Sequence, residues 1–257
     1  MVELARVPLP ELERMAAAGR EALECMRVLA ETGGSVVAEA LEGAEGFYEW
    51  EHYPAGDVYD PASHAQFYYH AHPPTERGGE HGHFHTFLRP RGMPAGTRPM
   101  MLPELAIPDA PAQPLGPVRP PAPQPCQGED NEELSHLVAI SMSPRGVPIR
   151  LFTTNRWVTG ETWYRAEDVV RMLERFVVGV PRPSPALNRW IGAIFVLFRP
   201  QMAALLAARD AAIMQWRRRH RGKIHVLEDR RLEVTSALAI DVEDQLRRVE
   251  TALKRVA

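Results

Sequence analysis

The sequence predicts an α+β protein: an antiparallel β-sheet or small open barrel flanked by N-terminal and C-terminal helices. Three observations carry that expectation. Both ends of the chain repeat apolar residues at helical period. Its middle alternates aromatic and polar residues in short runs punctuated by proline and glycine. Seven of the ten histidines also fall between His52 and His85, five of them in FYYHAHPPTERGGEHGHFHTFLR. Residues two apart in an extended strand share a face, so each run presents a row of imidazoles.

The elements follow in order. Leu12, Met15, Ala16, Leu23, Met26 and Leu29 or Ala30 make Pro10 to Glu31 an amphipathic helix, closed by Gly33-Gly34. Ser35 is placed to cap a short helix through Leu41. From Phe47 the pattern turns extended: FYEWEHY, a PAGD turn, AQFYYHAH, then HGHFHTFLR. Pro90 to Gln127 holds twelve of the 24 prolines and reads as a loop, a linker or a cover over a site. SHLVAISMS and VPIRLFTTNRWV form a hairpin around Pro144-Arg145-Gly146. Helices are expected over Ala166 to Val177, from Ser184-Pro185 to about Phe198, onward past Pro200 to Arg219, and over Asp241 to Val256. Ile224 to Ile240 fits either a hairpin or a helix-edge segment. The layout is one domain over 1–257: N-terminal helices in 1–45, sheet in 46–89 and 135–160, a proline-rich segment in 90–127, and a helical part in 165–257.

A chain of 257 residues can bury a substantial core, and 45% apolar with 25% charged residues is ordinary for a soluble globular protein. The net charge of −3 argues against bulk electrostatic binding to nucleic acid or anionic lipid. Only Cys25 and Cys126 are present, which disfavours a disulfide framework and favours a reducing cytoplasm. MVELARVPLPELERM has no basic region followed by an apolar run, and the apolar stretch Trp190 to Phe198 is too short to span a bilayer. The basic run WRRRHRGK reads as a solvated helix end. A small-molecule substrate is expected, with neither nucleic acid nor membrane as partner and with the cytoplasm as location.

The chemistry lies in the histidines. An antiparallel pairing of the two runs sets His72 opposite His81, His70 opposite His83, and Tyr68 opposite His85. Opposed Cβ atoms are about 5 Å apart, within reach of one ion. His70, His72, His83 and His85 are the candidate ligands; His81 is a further ligand, a base beside them or simply exposed. His52, His64 and His136 read as structural. Glu76 or Glu80 completes the shell or acts as general base. Two histidines and a carboxylate suit oxygen-dependent oxidation at iron, slightly favoured here, whereas three histidines and a water suit zinc-assisted hydrolysis. The ion is thus one transition metal: iron, zinc, copper or manganese. Arg89 and Arg156 are candidates for holding a substrate carboxylate. The competing readings are non-catalytic metal binding (storage, delivery, sensing or a structural ion) and a metal-free accessory protein.

HAHPPTE at 70–76 resembles the opening of the cupin first motif, which implies His70, His72 and Glu76 as ligands, with Gly82 near the motif's closing glycine. The second cupin motif is not found, and the helical C-terminal third departs from that family. HFH at 83–85 is similar to the strand of alpha-type carbonic anhydrases that offers alternate histidines to zinc. The HGHFHTF run also resembles an uncharacterised bacterial family of unknown function, which implies no activity.

Overall fold

The fold is that of a computed structural model, described over residues 3–73, 79–100, 134–220 and 224–256. Helix α1 (Leu9–Glu31) starts with a proline in its first turn and buries Leu12, Met15, Ala16, Ala22, Cys25 and Leu29 along one side. Helix α2 (Val36–Ala40) is capped by Ser35, whose hydroxyl accepts from Ala38 N–H at 3.1 Å.

Six antiparallel strands follow: β1 (Tyr53–Tyr59), β2 (Ala65–His70), β3 (Gly82–Leu88), β4 (Ser135–Met142), β5 (Pro148–Thr154) and β6 (Val234–Ala239). They lie side by side in chain order, an open sheet with β1 and β6 at its edges. Helices α3 (Arg156–Thr159), α4 (Ala166–Leu173), α5 (Pro185–Leu197) and α6 (Arg199–Arg219) come between β5 and β6, and α7 (Val242–Val256) closes the chain. Ser184 caps α5, while Pro200 cannot donate to the preceding turn and the axis bends by 72° into α6. Among the described residues no single helix is long and apolar enough to cross a membrane.

The helices cover one face of the sheet. Phe67, Tyr69, Phe84, Ile140 and Leu151 point into the apolar core, where the Trp190 ring of α5 lies 5.6 Å from that of Phe84. Gly19 lets α1 lie close to α5 and α7: a β-carbon there would sit 3.0 Å from Leu246 and 3.1 Å from Leu197. The opposite face, which carries the histidines, is buried as well, since every residue of β2, β3 and β4 is buried.

Two expectations are corrected. FYEWEHY is not a strand and PAGD is not a reversal. The strand is Tyr53–Tyr59 itself, and its pairing slips between Tyr53, opposite Tyr69, and Val58, opposite Phe67. Gly56 (φ 79°) and Asp57 (φ 57°) absorb the slip in left-handed backbone, so the turn chemistry makes a bulge. The ambiguous 224–240 segment supplies the sixth strand, with Leu238 opposite Leu151. Of the proline-rich segment, Pro90–Gly92 is a single 3₁₀ turn, and residues 101–133 lie outside the described residues.

Gly82 ties this fold to the site. A β-carbon there would fall 2.5 Å from the His70 carbonyl and 2.5 Å from the Tyr69 hydroxyl. Gly82→Ala is expected to cost about 1–3 kcal/mol by overpacking. Urea denaturation reads it, and an unchanged midpoint would mean that the strand edge yields without strain.

Candidate metal centre

Register decides which imidazoles meet. Strand β2 pairs with β3 so that His70 faces His83 and Tyr68 faces His85. His70 Nε2 lies 2.7 Å from His83 Nε2, which lies 3.0 Å from His85 Nε2. His72, two residues past the end of β2, turns its ring to within 5.0 Å of His70 and 5.2 Å of His83. His70, His72 and His83 each offer a nitrogen within 4.8 Å of the others, and together they can hold a metal ion. His83 and His85 are 1% exposed and His70 is 8% exposed, so His72, half-buried, is nearest solvent.

Among the described residues, the carboxylate beside this cluster is Glu80, and both of its oxygens have partners. Glu80 Oε1 accepts from His83 Nδ1 at 2.6 Å, and Glu80 Oε2 accepts from Arg150 Nη2 at 2.6 Å. Arg150 is steadied by Ser141, whose hydroxyl accepts from its Nε at 3.2 Å. In the tautomer that donates Nδ1–H to Glu80, His83 presents a bare Nε2 lone pair toward the Nε2 atoms of His70 and His85. Three nitrogens around a tetrahedral ion at 2.0–2.1 Å would stand about 3.3 Å apart, so the 2.7 Å pair opens by roughly half an ångström on loading. A carboxylate–histidine–metal relay of this kind fixes ring orientation and tautomer.

A further histidine joins from β4. Pairing runs regularly from His83 opposite Ser141 to His85 opposite Ala139, then slips so that Phe87 faces His136. Thr86 fills the slip, its hydroxyl bonding to the Val138 carbonyl at 2.6 Å. This bulge turns His136 onto the histidine face, with its Nε2 3.0 Å from His85 Nδ1. Burial, and then the neighbouring imidazoles, hold His85 well below the ordinary histidine value. Burial and the Arg209 charge bring His136 down to about 3. Both rings are therefore neutral, the form that binds metal. The spacing read His136 as structural, because nothing local announces a bulge.

Other expected site residues are placed elsewhere. His81 lies just before β3, which starts at Gly82. Its Nδ1 meets the Tyr69 hydroxyl at 2.6 Å and its ring stacks on Phe47, on the Tyr69 side rather than with His83. Arg89 donates from Nε to Gln66 at 2.8 Å and lies over the Tyr59 ring, four residues along from His85. Arg156 Nε pairs with Glu228 at 2.7 Å, tying α3 to the segment before β6. Neither arginine is brought to the cluster by these contacts. Glu76 lies outside the described residues. His52, read as structural, stacks 3.6 Å over Tyr68, with its ring 5.8 Å from that of His70 and its Nδ1 on Asp57 at 3.2 Å.

Two outcomes follow. Glu80→Gln is expected to weaken metal affinity roughly 10–100-fold, measured by competition with a chromogenic chelator; equal affinity would mean that His83 is oriented without it. Glu161, whose carboxylate accepts from His136 N–H at 2.6 Å, is raised by burial, against the Arg209 charge, from 4.5 to about 8. Between those values the unfolded state ionises and the folded state does not, so stability falls as pH rises from 4.5 through about 8. Glu161→Gln removes that loss. Its stability relative to wild type should rise on the order of 2–4 kcal/mol from pH 5 to pH 8 in urea titrations.

Residues 16–240 match the family described as Domain of unknown function (DUF6969), and the chain belongs to that family. No curated protein and no solved structure matches it.

Proposed function

We propose that this member of a family without assigned function is a mononuclear metalloenzyme that acts on a small molecule through a metal-activated water. One observation carries the reading: among the described residues, the group able to hold an ion is His70, His72 and His83, three imidazoles with no carboxylate. A divalent ion held by three neutral imidazoles keeps its full charge and, with a position left open, brings the pKa of a bound water toward neutrality. Oxygen-dependent oxidation on the two-histidine, one-carboxylate pattern needs a carboxylate at the ion, and both oxygens of Glu80 are engaged elsewhere. The all-nitrogen set among the described residues favours hydrolysis or hydration, with zinc the best fit to three imidazoles and a water.

In this reading the chain's own residues have separate tasks. Glu80 and Arg150 orient His83, and Phe152, 5.1 Å from the His83 ring, excludes water beneath it. His52, with Nδ1 on Asp57, turns Nε2 free to accept from a hydroxyl or water beside the cluster.

A second reading has its own observation: His85 Nε2 is 3.0 Å from His83 Nε2. As a fourth ligand it would close the shell and make the ion structural.

Protein purified without tag or chelator is expected to carry near-stoichiometric metal by elemental analysis. His83→Ala should lose it with the circular dichroism spectrum unchanged. Hydrolysis of methyl formate, a compact probe for metal-activated water, should follow metal content and return with added zinc. His85→Ala separates the readings: retained metal and hydrolysis favour the open site, and loss of both with the fold favours a structural ion. Wild type that neither carries metal nor takes it up on titration sinks both.

A further inference from the structure

The half-buried His72 marks the side from which solvent approaches the cluster, and Trp50 is packed against it. The indole lies edge-on to His72 at 4.0 Å between ring centroids and 66° between planes, and 6.5 Å from His70. Its placement is imposed by the backbone. Trp50 has φ 71°, left-handed backbone that a bulky side chain rarely adopts. Its amide donates to the carbonyl of Ala71, the residue between the two ligands, at 2.9 Å. A glycine would take that conformation without strain, so the chain holds a β-carbon where one is disfavoured and sets an indole beside the ion. The neighbouring walls are aromatic too: His52 stacked on Tyr68, with Phe152 beyond His83.

We propose that Trp50 is the specificity-determining wall of the metal's open side, limiting what reaches the ion to compact molecules of a few heavy atoms. This rests on the metal reading above. A carbonyl-containing gas, water or a short linear anion fits past an indole edge. A ligand carrying a second ring must displace that edge, at the expense of its packing on His72.

Cobalt(II)-loaded full-length protein tests this, with visible absorption reporting exogenous ligands at the ion. Azide is the compact probe and 4-phenylimidazole the bulky one. Azide should bind wild type and Trp50→Gly with similar affinity. 4-Phenylimidazole should bind Trp50→Gly at least roughly tenfold more tightly than wild type, with Trp50→Phe in between. Equal 4-phenylimidazole affinity in wild type and Trp50→Gly overturns the proposal. So does loss of cobalt from Trp50→Gly alone, which would make the indole a support for His72. Wild type that takes up no cobalt overturns the metal reading itself, a result distinct from either of these.

Discussion

The antiparallel register of β2 against β3 is the constraint on which everything else rests. Side chains alternate across a sheet, so a one-residue slip of β3 would send His83 and His85 into the helical layer, away from His70, and bring Phe84 to the site. What prevents the slip is apolar packing on the far face, where Phe67, Tyr69 and Phe84 interlock beneath Trp190 of α5. Gly82 reinforces it by bringing the chain against the His70 carbonyl. The imidazoles on one face thus converge because aromatic rings on the other face cannot be repacked in another register.

Holding that many imidazoles out of water is costly, and the surroundings show how the cost is met. Each of these rings finds a partner that orients it: Glu80 for His83, His83 and His136 for His85. Glu80 has Arg150 in turn, so its buried charge is compensated across the sheet from β5. The strained backbone is concentrated in the same region. Trp50 and Asp57 are left-handed without being glycine; one sets its indole against His72 and the other its carboxylate against His52. Concentrated strain is what a site costs a fold, and among the described residues no left-handed non-glycine residue lies in a helix.

Much of this was legible from one dimension. Two-residue spacing put His70 with His83 and Tyr68 with His85, because period two is a property of any extended chain. The helix boundaries at Ser35 and Ser184 followed from cap chemistry, which is local. Where the reading failed, the deciding event was not local. The PAGD segment has turn residues yet forms a bulge, since β1 continues along β2 on either side of it. His81 keeps the spacing of His83 but loses its face, because the chain leaves the strand before Gly82. His136 gains the histidine face only through a slip in the β3–β4 pairing.

The sequence by itself determined the α+β class, the faces of β2 and β3, and the presence of a row of imidazoles, because these depend on periodicity and capping within a few residues. Tertiary structure alone decided which imidazoles meet, since convergence depends on register, bulges and reach between strands. It made Glu80 a partner of His83 and Arg150, drew Arg89 and Arg156 to other partners, and turned Trp50 onto His72. Spacing along a strand says which way a side chain points; only the packing of neighbouring strands says what it meets there.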